Sequence, residues 1–165
     1  MRLSSALPVL AFVALISFSS CSSESLPEET VTTIDINNPP DVKINEIEIL
    51  QLINEHRISI GLNPLIDHSL VKAVAFTHTD YMIEEDGISH DNFYDRKESL
   101  EANAQAVKVS ENVAYGFSSP GSLVNAWLNS PSHRDTIEGD FTDFDISAEQ
   151  NEDGKWYYTN IFIKR

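Results

Sequence analysis

Cys21 is the only cysteine among the 165 residues of this chain, so no disulfide can form within it. A domain without cross-links must be held by its hydrophobic core alone or with a metal ion. Hydrophobic residues make up 41% of the sequence, and they recur throughout residues 45–165, a length typical of one domain. We therefore predict one globular domain over residues 45–165 that folds as a monomer.

The N-terminus has the pattern of an export signal. Arg2 precedes an apolar run over residues 7–18, which is too short to span a bilayer as a stable helix. The run leads into Ser19-Ser20-Cys21, which resembles a bacterial lipobox, where the cysteine is acylated and becomes the mature N-terminus. We predict a lipoprotein signal peptide at residues 1–20 and lipidation of Cys21. The alternative is an ordinary signal peptide that is cleaved nearby.

Residues 21–44 have the composition of a tether. They are rich in Ser, Glu, Thr and Pro and contain no aromatic residue. Such a segment buries too little apolar surface to offset the entropy of ordering it. We predict a disordered acidic linker that joins a lipid anchor to the domain, which places the protein in the cell envelope, at the outer membrane or the cell surface. The leaflet stays open.

The charge of the chain limits its partners. Twenty-six acidic and 11 basic residues give a formal net charge of −15 at pH 7. An acidic domain of this kind repels nucleic acid and anionic lipid, so we predict no nucleic-acid partner. A cationic partner, a divalent ion or a neutral ligand is compatible with the charge.

Hydrophobic spacing and turn residues predict an order of helices followed by strands. Asp67 is the predicted cap of the second helix, Ser119-Pro120 begins the fourth, and Gly154 supplies the positive φ of a hairpin turn. The predicted helices cover residues 45–60, 67–87, 95–105 and a segment from Ser119, and a short turn begins at Ser130. The predicted strands cover residues 141–149 and 156–164.

The chemistry of the chain rests on His, Glu and Asp residues near these turns. The sequence has no Gly-rich phosphate loop, no H-x-x-x-H or C-x-x-C metal pair and no G-x-S-x-G elbow. His90, Glu111 and His133 are separated by 21 and 22 residues, so only the tertiary fold can bring them together. Spacing alone does not decide whether it does.

The order of motifs resembles the bacterial lipoprotein branch of the CAP superfamily, which includes cysteine-rich secretory proteins, antigen five and plant pathogenesis-related proteins. Seven matching pieces occur in family order across most of residues 45–165. They are N-E-H-R at 54–57, L-N-P-L at 62–65, A-F-T-H-T-D-Y-M at 75–82, I-S-H at 88–90, S-E-N-V-A-Y-G at 110–116, A-W-L-N-S-P-S-H-R at 126–134 and Y-Y-T-N-I-F at 157–162. The resemblance implies an α+β fold, a three-layer α-β-α sandwich with a central antiparallel sheet.

The resemblance also implies a cleft lined by His90, Glu111 and His133. Two imidazoles and one carboxylate suit zinc or another divalent ion with open positions for water. The eukaryotic branch has a fourth, acidic member where this chain has Ser130, so we expect weak binding or a changed ion preference. Asp145-Ile146-Ser147 stands where the family has Gly-x-Gly, which puts close backbone packing there in question.

Several of the polar and aromatic residues could have a purely structural role. Glu111 and Asn112 could serve only to hydrogen-bond backbone at the start of a strand. We predict that His78, on the apolar stripe of the second helix, is a core histidine and that His56 and His68 lie at the surface. Three aromatic residues are predicted to belong to the core: Trp127, Trp156 and Tyr158.

Three functions remain open. The first is an exported binding module whose cleft holds a small molecule, a lipid or an envelope protein, with or without a divalent metal. The second is a peptidase-like hydrolase in which His90 or His133 acts as base and Glu111 orients it, or a metal activates water. The third is an envelope interaction protein with a vestigial cleft. No nucleophile is identifiable, so the sequence does not establish an enzymatic activity.

Overall fold

The computed structural model describes Ile34, Ile36 and residues 38–165. The predicted signal peptide and Cys21 lie outside the described residues. Within the described residues the chain forms five helices and four strands, which confirms the α+β class. They are α1 (Ile44–Ser59), β1 (Ile66–Asp67), α2 (Ser69–Glu84), α3 (Phe93–Ala104), β2 (Lys108–Tyr115), α4 (Pro120–Asn129), α5 (Pro131–Ile137), β3 (Asp143–Gln150) and β4 (Trp156–Lys164).

Of the two predicted N-terminal helix caps, one is confirmed and the other is wrong. Ser119 caps α4 as predicted, since its Oγ accepts a hydrogen bond from the backbone N–H of Ser122 at 3.3 Å. The predicted cap at Asp67 is wrong. Residues 66 and 67 form the short strand β1 instead, because the N–H of Ile66 donates to Thr142 O and that of His68 to Phe144 O.

The four strands form one sheet in the order β1-β3-β4-β2. The three long strands are antiparallel, as expected, whereas β1 pairs with β3 in parallel and was not predicted. Gly154, with φ of +76°, lies in the predicted hairpin turn between β3 and β4. Because β2 is the last strand in this order and pairs only with β4, it lies at one edge of the sheet.

Helices cover both faces of this sheet, which confirms the three-layer sandwich. One hydrophobic cluster joins α1 and α4 to the sheet and includes Trp127 and Tyr158, both predicted core residues, with Trp156 packed against it. A second cluster joins α2 and α3 to the opposite face of the sheet, through residues such as Val74 and Leu100.

Two residues ahead of the helices contact the second cluster. Ile34 and Ile36 are partly buried and pack against the α2 and α3 side of the sheet, together with Leu70 and Val109. Both isoleucines belong to the segment predicted as a linker. Their side chains are therefore withdrawn from water by the domain that follows them.

The outer edge of β3 beyond β1 is closed by buried polar side chains. Lys72 Nζ donates to Ile146 O at 2.9 Å, and the N–H of Ala148 donates to Glu46 Oε1 at 2.8 Å. Lys72 and Glu46 also form an ion pair with each other. Asp145 Oδ1 accepts the N–H of Ile146 at 2.8 Å. The acidic residue at the expected Gly-x-Gly position is therefore used to satisfy strand backbone.

Candidate functional site

The predicted site residues meet at the edge strand β2, which carries Glu111. Glu111 and Asn112 are consecutive on this strand, so their side chains leave opposite faces of the sheet. Glu111 faces α3 through Arg96, and Asn112 faces α5 through the backbone of His133. Each face thereby contributes one of the two predicted histidines.

Glu111 is the centre of the first half of the site. Its side chain is 1% exposed, and Arg96 forms a two-pronged contact with it, Nε to Oε2 and Nη2 to Oε1, both at 2.8 Å. Burial by itself raises the pKa of Glu111, but the hydrogen bonds from His90 and Arg96 and the charge of Arg96 outweigh it and lower the pKa below its usual range. The carboxylate is therefore held in its charged form.

His90 shares this carboxylate. Its Nδ1 lies 2.8 Å from Glu111 Oε1, and its side chain is 54% exposed. A charged carboxylate at Nδ1 favours the tautomer in which Nδ1 carries the proton. Nε2 then has its lone pair free, and it has no hydrogen-bond partner among the described residues.

His78 completes the buried side of the site. It is almost fully buried, as predicted, and its Nε2 lies 2.8 Å from Ser89 O and 3.8 Å from Glu111 Oε1. Burial lowers the pKa of His78 and outweighs the attraction of Glu111. A neutral His78 positions the loop that carries His90, because Ser89 is the residue before it.

His133 forms the second half of the site on α5. Its Nδ1 lies 2.8 Å from Ser130 Oγ, and its backbone carbonyl accepts from Asn112 Nδ2 at 3.0 Å. Burial lowers the pKa of His133, and repulsion from His90 in its protonated form lowers it further. The two imidazoles are thus close enough to interact electrostatically. Ser130 replaces the expected fourth acidic residue and orients the ring of His133.

We refer to His90, Glu111 and His133 as the histidine site. Each imidazole has its Nδ1 engaged, and neither Nε2 has a protein partner among the described residues. Metal-ligating histidines commonly hold the second ring nitrogen in this way. Across residues 38–165 and the two isoleucines before them, no group of three or more His, Cys, Asp or Glu side chains is arranged to hold a metal ion. Both oxygens of Glu111 already bind Arg96.

Arg96 is the site residue that the sequence did not reveal. It is 3% exposed, and besides Glu111 it donates from Nη1 to Asp91 O at 2.6 Å. It lies in a polar stretch whose pattern is that of a solvated helix. The remaining histidines do not join the site. His56 is partly exposed and lies 2.9 Å from Glu138 Oε1, and His68 is partly exposed beside β1.

A comparison with models of known protein families shows to which family this chain belongs. The model of the cysteine-rich secretory protein family, CAP, matches residues 50–162. This chain belongs to the CAP family. The resemblance drawn from the seven sequence motifs is therefore confirmed, and the histidine site lies within the matched region.

Relatives in the CAP family include surface and membrane proteins of bacteria. The chain is 32% identical to the membrane protein YlbC of Bacillus subtilis over 73% of its own length but only 35% of YlbC. It matches the structure of an outer surface protein of Borrelia burgdorferi with a TM-score of 0.68 and 25% identity, covering 78% of this chain and 98% of that one.

A second solved CAP structure has the same fold. It is an extracellular protein of Bacillus anthracis that contains an SCP domain, and the match has a TM-score of 0.63 and 26% identity over 73% of this chain and 40% of that one. The chain therefore spans less than half the length of this protein and of YlbC. None of the helices in the described residues is long and apolar enough to cross a membrane.

Proposed function

We propose that this chain is an exported CAP-family binding protein, tethered to the cell envelope by lipid on Cys21, that holds its ligand at the histidine site. The observation that carries the proposal is the pair of imidazoles that are each oriented through Nδ1, His90 by Glu111 and His133 by Ser130. The relatives named as outer surface and extracellular proteins support the location outside the cytoplasm.

A divalent ion such as zinc fits this arrangement with two protein ligands. The Nε2 atoms of His90 and His133 would hold it, and a small molecule, a lipid head group or a group of an envelope protein would share the open positions. Glu111 would act behind His90 by fixing its tautomer and raising its basicity, since Arg96 occupies both carboxylate oxygens. When bound, the ion would supply a Lewis-acidic position. Two ligands give modest affinity.

Zinc titration calorimetry on the full chain tests this proposal. We expect weak binding at neutral pH that is lost in His90→Ala and in His133→Ala, and that declines as the pH falls and the imidazoles protonate. His56→Ala is the matched control, because the imidazole of His56 is paired with Glu138 and not with Glu111 or Ser130. Unchanged zinc heats in the two site variants would refute the assignment.

The anchor has its own test. We expect Cys21→Ser to abolish membrane association, because an acyl chain on this residue would be the stable anchor of the chain. Detergent partitioning after labelling with a fatty acid measures it. Ser25→Cys in the Cys21→Ser background is the control for position, because it restores a thiol away from the end of the signal and should stay unlabelled. An unmodified Cys21 in a correctly processed chain would contradict the proposal.

A hydrolase is the second candidate, and the contact between Glu111 and His90 favours it. A carboxylate 2.8 Å from Nδ1 is the arrangement that orients a catalytic base, and Nε2 of His90 could then activate water. No Ser, Thr or Cys side chain among the described residues forms a hydrogen bond with that Nε2, which is why we favour binding. Mechanism-based hydrolase probes distinguish the two, because labelling that His90→Ala removes would establish the hydrolase.

A further inference from the structure

The two edges of the sheet differ in how many of their outward backbone groups are hydrogen-bonded. On β2, the hydrogen bond from Gly116 N–H to Trp156 O, 2.8 Å long, extends the register in which Tyr115 faces Tyr157. In an antiparallel pair the hydrogen-bonded positions alternate. Even-numbered residues of β2 therefore bond to β4, and the backbone groups of odd-numbered residues point away from the sheet.

Most of these outward groups have no hydrogen-bond partner in the part of the chain that the structure describes. Val113 O accepts from Trp127 Nε1 at 3.4 Å. The N–H and C=O groups of Val109 and Glu111 and the N–H of Val113 have no hydrogen-bond partner among the described residues. The outer edge of β3, in contrast, is satisfied by Lys72 and Glu46.

The unpaired groups coincide with the histidine site. Glu111 as a whole residue is 8% exposed, whereas its side chain is 1% exposed, so what remains accessible is its main chain. Its side-chain partner His90 lies on one face of the sheet, and His133 lies on the other. The outward N–H and C=O of Glu111 are therefore presented between the two histidines.

We propose that the edge of β2 from Val109 to Val113 binds an extended peptide segment, which adds to the sheet as a fifth strand beside the histidine site. This deepens the proposed function and rests on it, because it names the chemical class of the ligand. Alternate residues of the peptide would face His90 and His133. The net charge of −15 favours a neutral or basic peptide.

The spacing of the unpaired groups is what selects a peptide. Outward positions two residues apart along a strand repeat about every 6.8 Å, each with one donor and one acceptor. An extended backbone has the same repeat and the complementary groups, as in other cases of strand addition. An acyl chain offers no hydrogen-bonding groups, and a small molecule matches one such position.

The test selects phage-displayed random peptides of about nine residues on the full chain and measures the synthetic peptide that binds best. Two N-methylated forms are then compared, one methylated at odd positions and one at even positions. We expect one form to bind at least about tenfold more weakly and the other within about twofold, because only every second N–H faces β2. Equal effects of the two forms, or no selected peptide, would overturn the proposal.

A variant of the strand tests the same contact from the protein side. Val109→Pro removes an outward N–H without breaking the β2–β4 ladder, as proline is tolerated on edge strands. We expect at least about tenfold weaker binding, with Val109→Ala within about twofold as the matched control. Equal binding by both variants would contradict strand addition. If Val109→Pro fails to fold, the two methylated peptides still decide.

Hydrogen exchange shows whether the β2 edge is free to bind a peptide. Together with the zinc titration, it also distinguishes the peptide proposal from the metal proposal. We expect the amides of Val109, Glu111 and Val113 to exchange rapidly in the free chain and slowly with the selected peptide. Protection in the free chain would mean that a second copy or another part of this chain already covers the edge, and would overturn the proposal. Zinc binding without these peptide effects refutes only the strand addition, and peptide effects in EDTA without zinc binding refute only the metal site.

Discussion

Glu111 and Asn112 are neighbours in the chain, yet they hold the two histidines on opposite faces of the sheet. Glu111 Oε1 lies 2.8 Å from His90 Nδ1, and Asn112 Nδ2 donates to His133 O at 3.0 Å. The alternation of side chains along a strand produces this arrangement. A single strand therefore contacts both the side chain of His90 and the backbone of His133.

Arg96→Met should strongly destabilise the fold. The change leaves the Glu111 carboxylate buried and without its cation, which typically costs about 3–5 kcal/mol. Lys97→Met is the control, because Lys97 and Glu101 form an exposed pair whose loss should change the free energy of unfolding by less than about 1 kcal/mol. Urea denaturation measures both. An Arg96→Met chain as stable as the control would show that the pair does not stabilise the domain.

Glu111→Gln should weaken zinc binding about 10- to 100-fold without removing either proposed ligand, since carboxylates behind metal-binding histidines have effects of this size. Ser130→Ala is the matched change behind His133 and should have a smaller effect, because it removes a neutral hydrogen bond. Calorimetry below the unfolding temperature compares the two, with circular dichroism as a check on folding. An unchanged zinc affinity in Glu111→Gln would exclude the orienting role.

These predictions draw on features that the sequence reveals unevenly. Helices α1 to α4 and the β3–β4 hairpin could be predicted because hydrophobic spacing and turn residues are local signals, whereas α5 was predicted only as a short turn. Arg96 could not, because its burial depends on α3 docking against β2. Likewise β1 is two residues long and exists only through its pairing with β3. The proximity of His90 to Glu111 was expected only from the family pattern.

Asp145 should titrate at about pH 7. Burial raises its pKa to about 7 and outweighs the hydrogen bonds from Ile146 and His68 and the charge of Lys72. Asp143 is an internal control, because its bonds with Arg165 and Thr142 outweigh burial and lower its pKa. Carboxyl carbon NMR measures both titrations. An Asp145 midpoint near the ordinary value of about 4 would contradict the prediction.

The raised pKa of Asp145 also fixes the sign of its effect on stability. Between pH values of about 4 and 7 the folded chain holds a proton on Asp145 that the unfolded chain has released. The contribution of this residue to stability therefore falls as the pH rises through this range. Asp145→Asn should reduce that slope in urea denaturation curves, and an unchanged slope would count against it.

Ile34 and Ile36 should contribute to stability although they precede the first helix. Replacing both by Ser removes two partly buried side chains from the α2 and α3 side of the sheet, and we expect a loss of about 2 kcal/mol. Val42→Ser is the control, because Val42 is 58% exposed. A double variant as stable as this control in urea denaturation would show that the contact is not stabilising.

The closed outer edge of β3 limits how copies of this chain can associate through their sheets. A fibre grows by edge-to-edge addition only if each copy offers two receptive edges, one for the copy before it and one for the copy after it. Glu46 and Lys72 occupy backbone groups at one of these edges. Even at a high local concentration, copies could then join at most in pairs through β2, and growth would stop there.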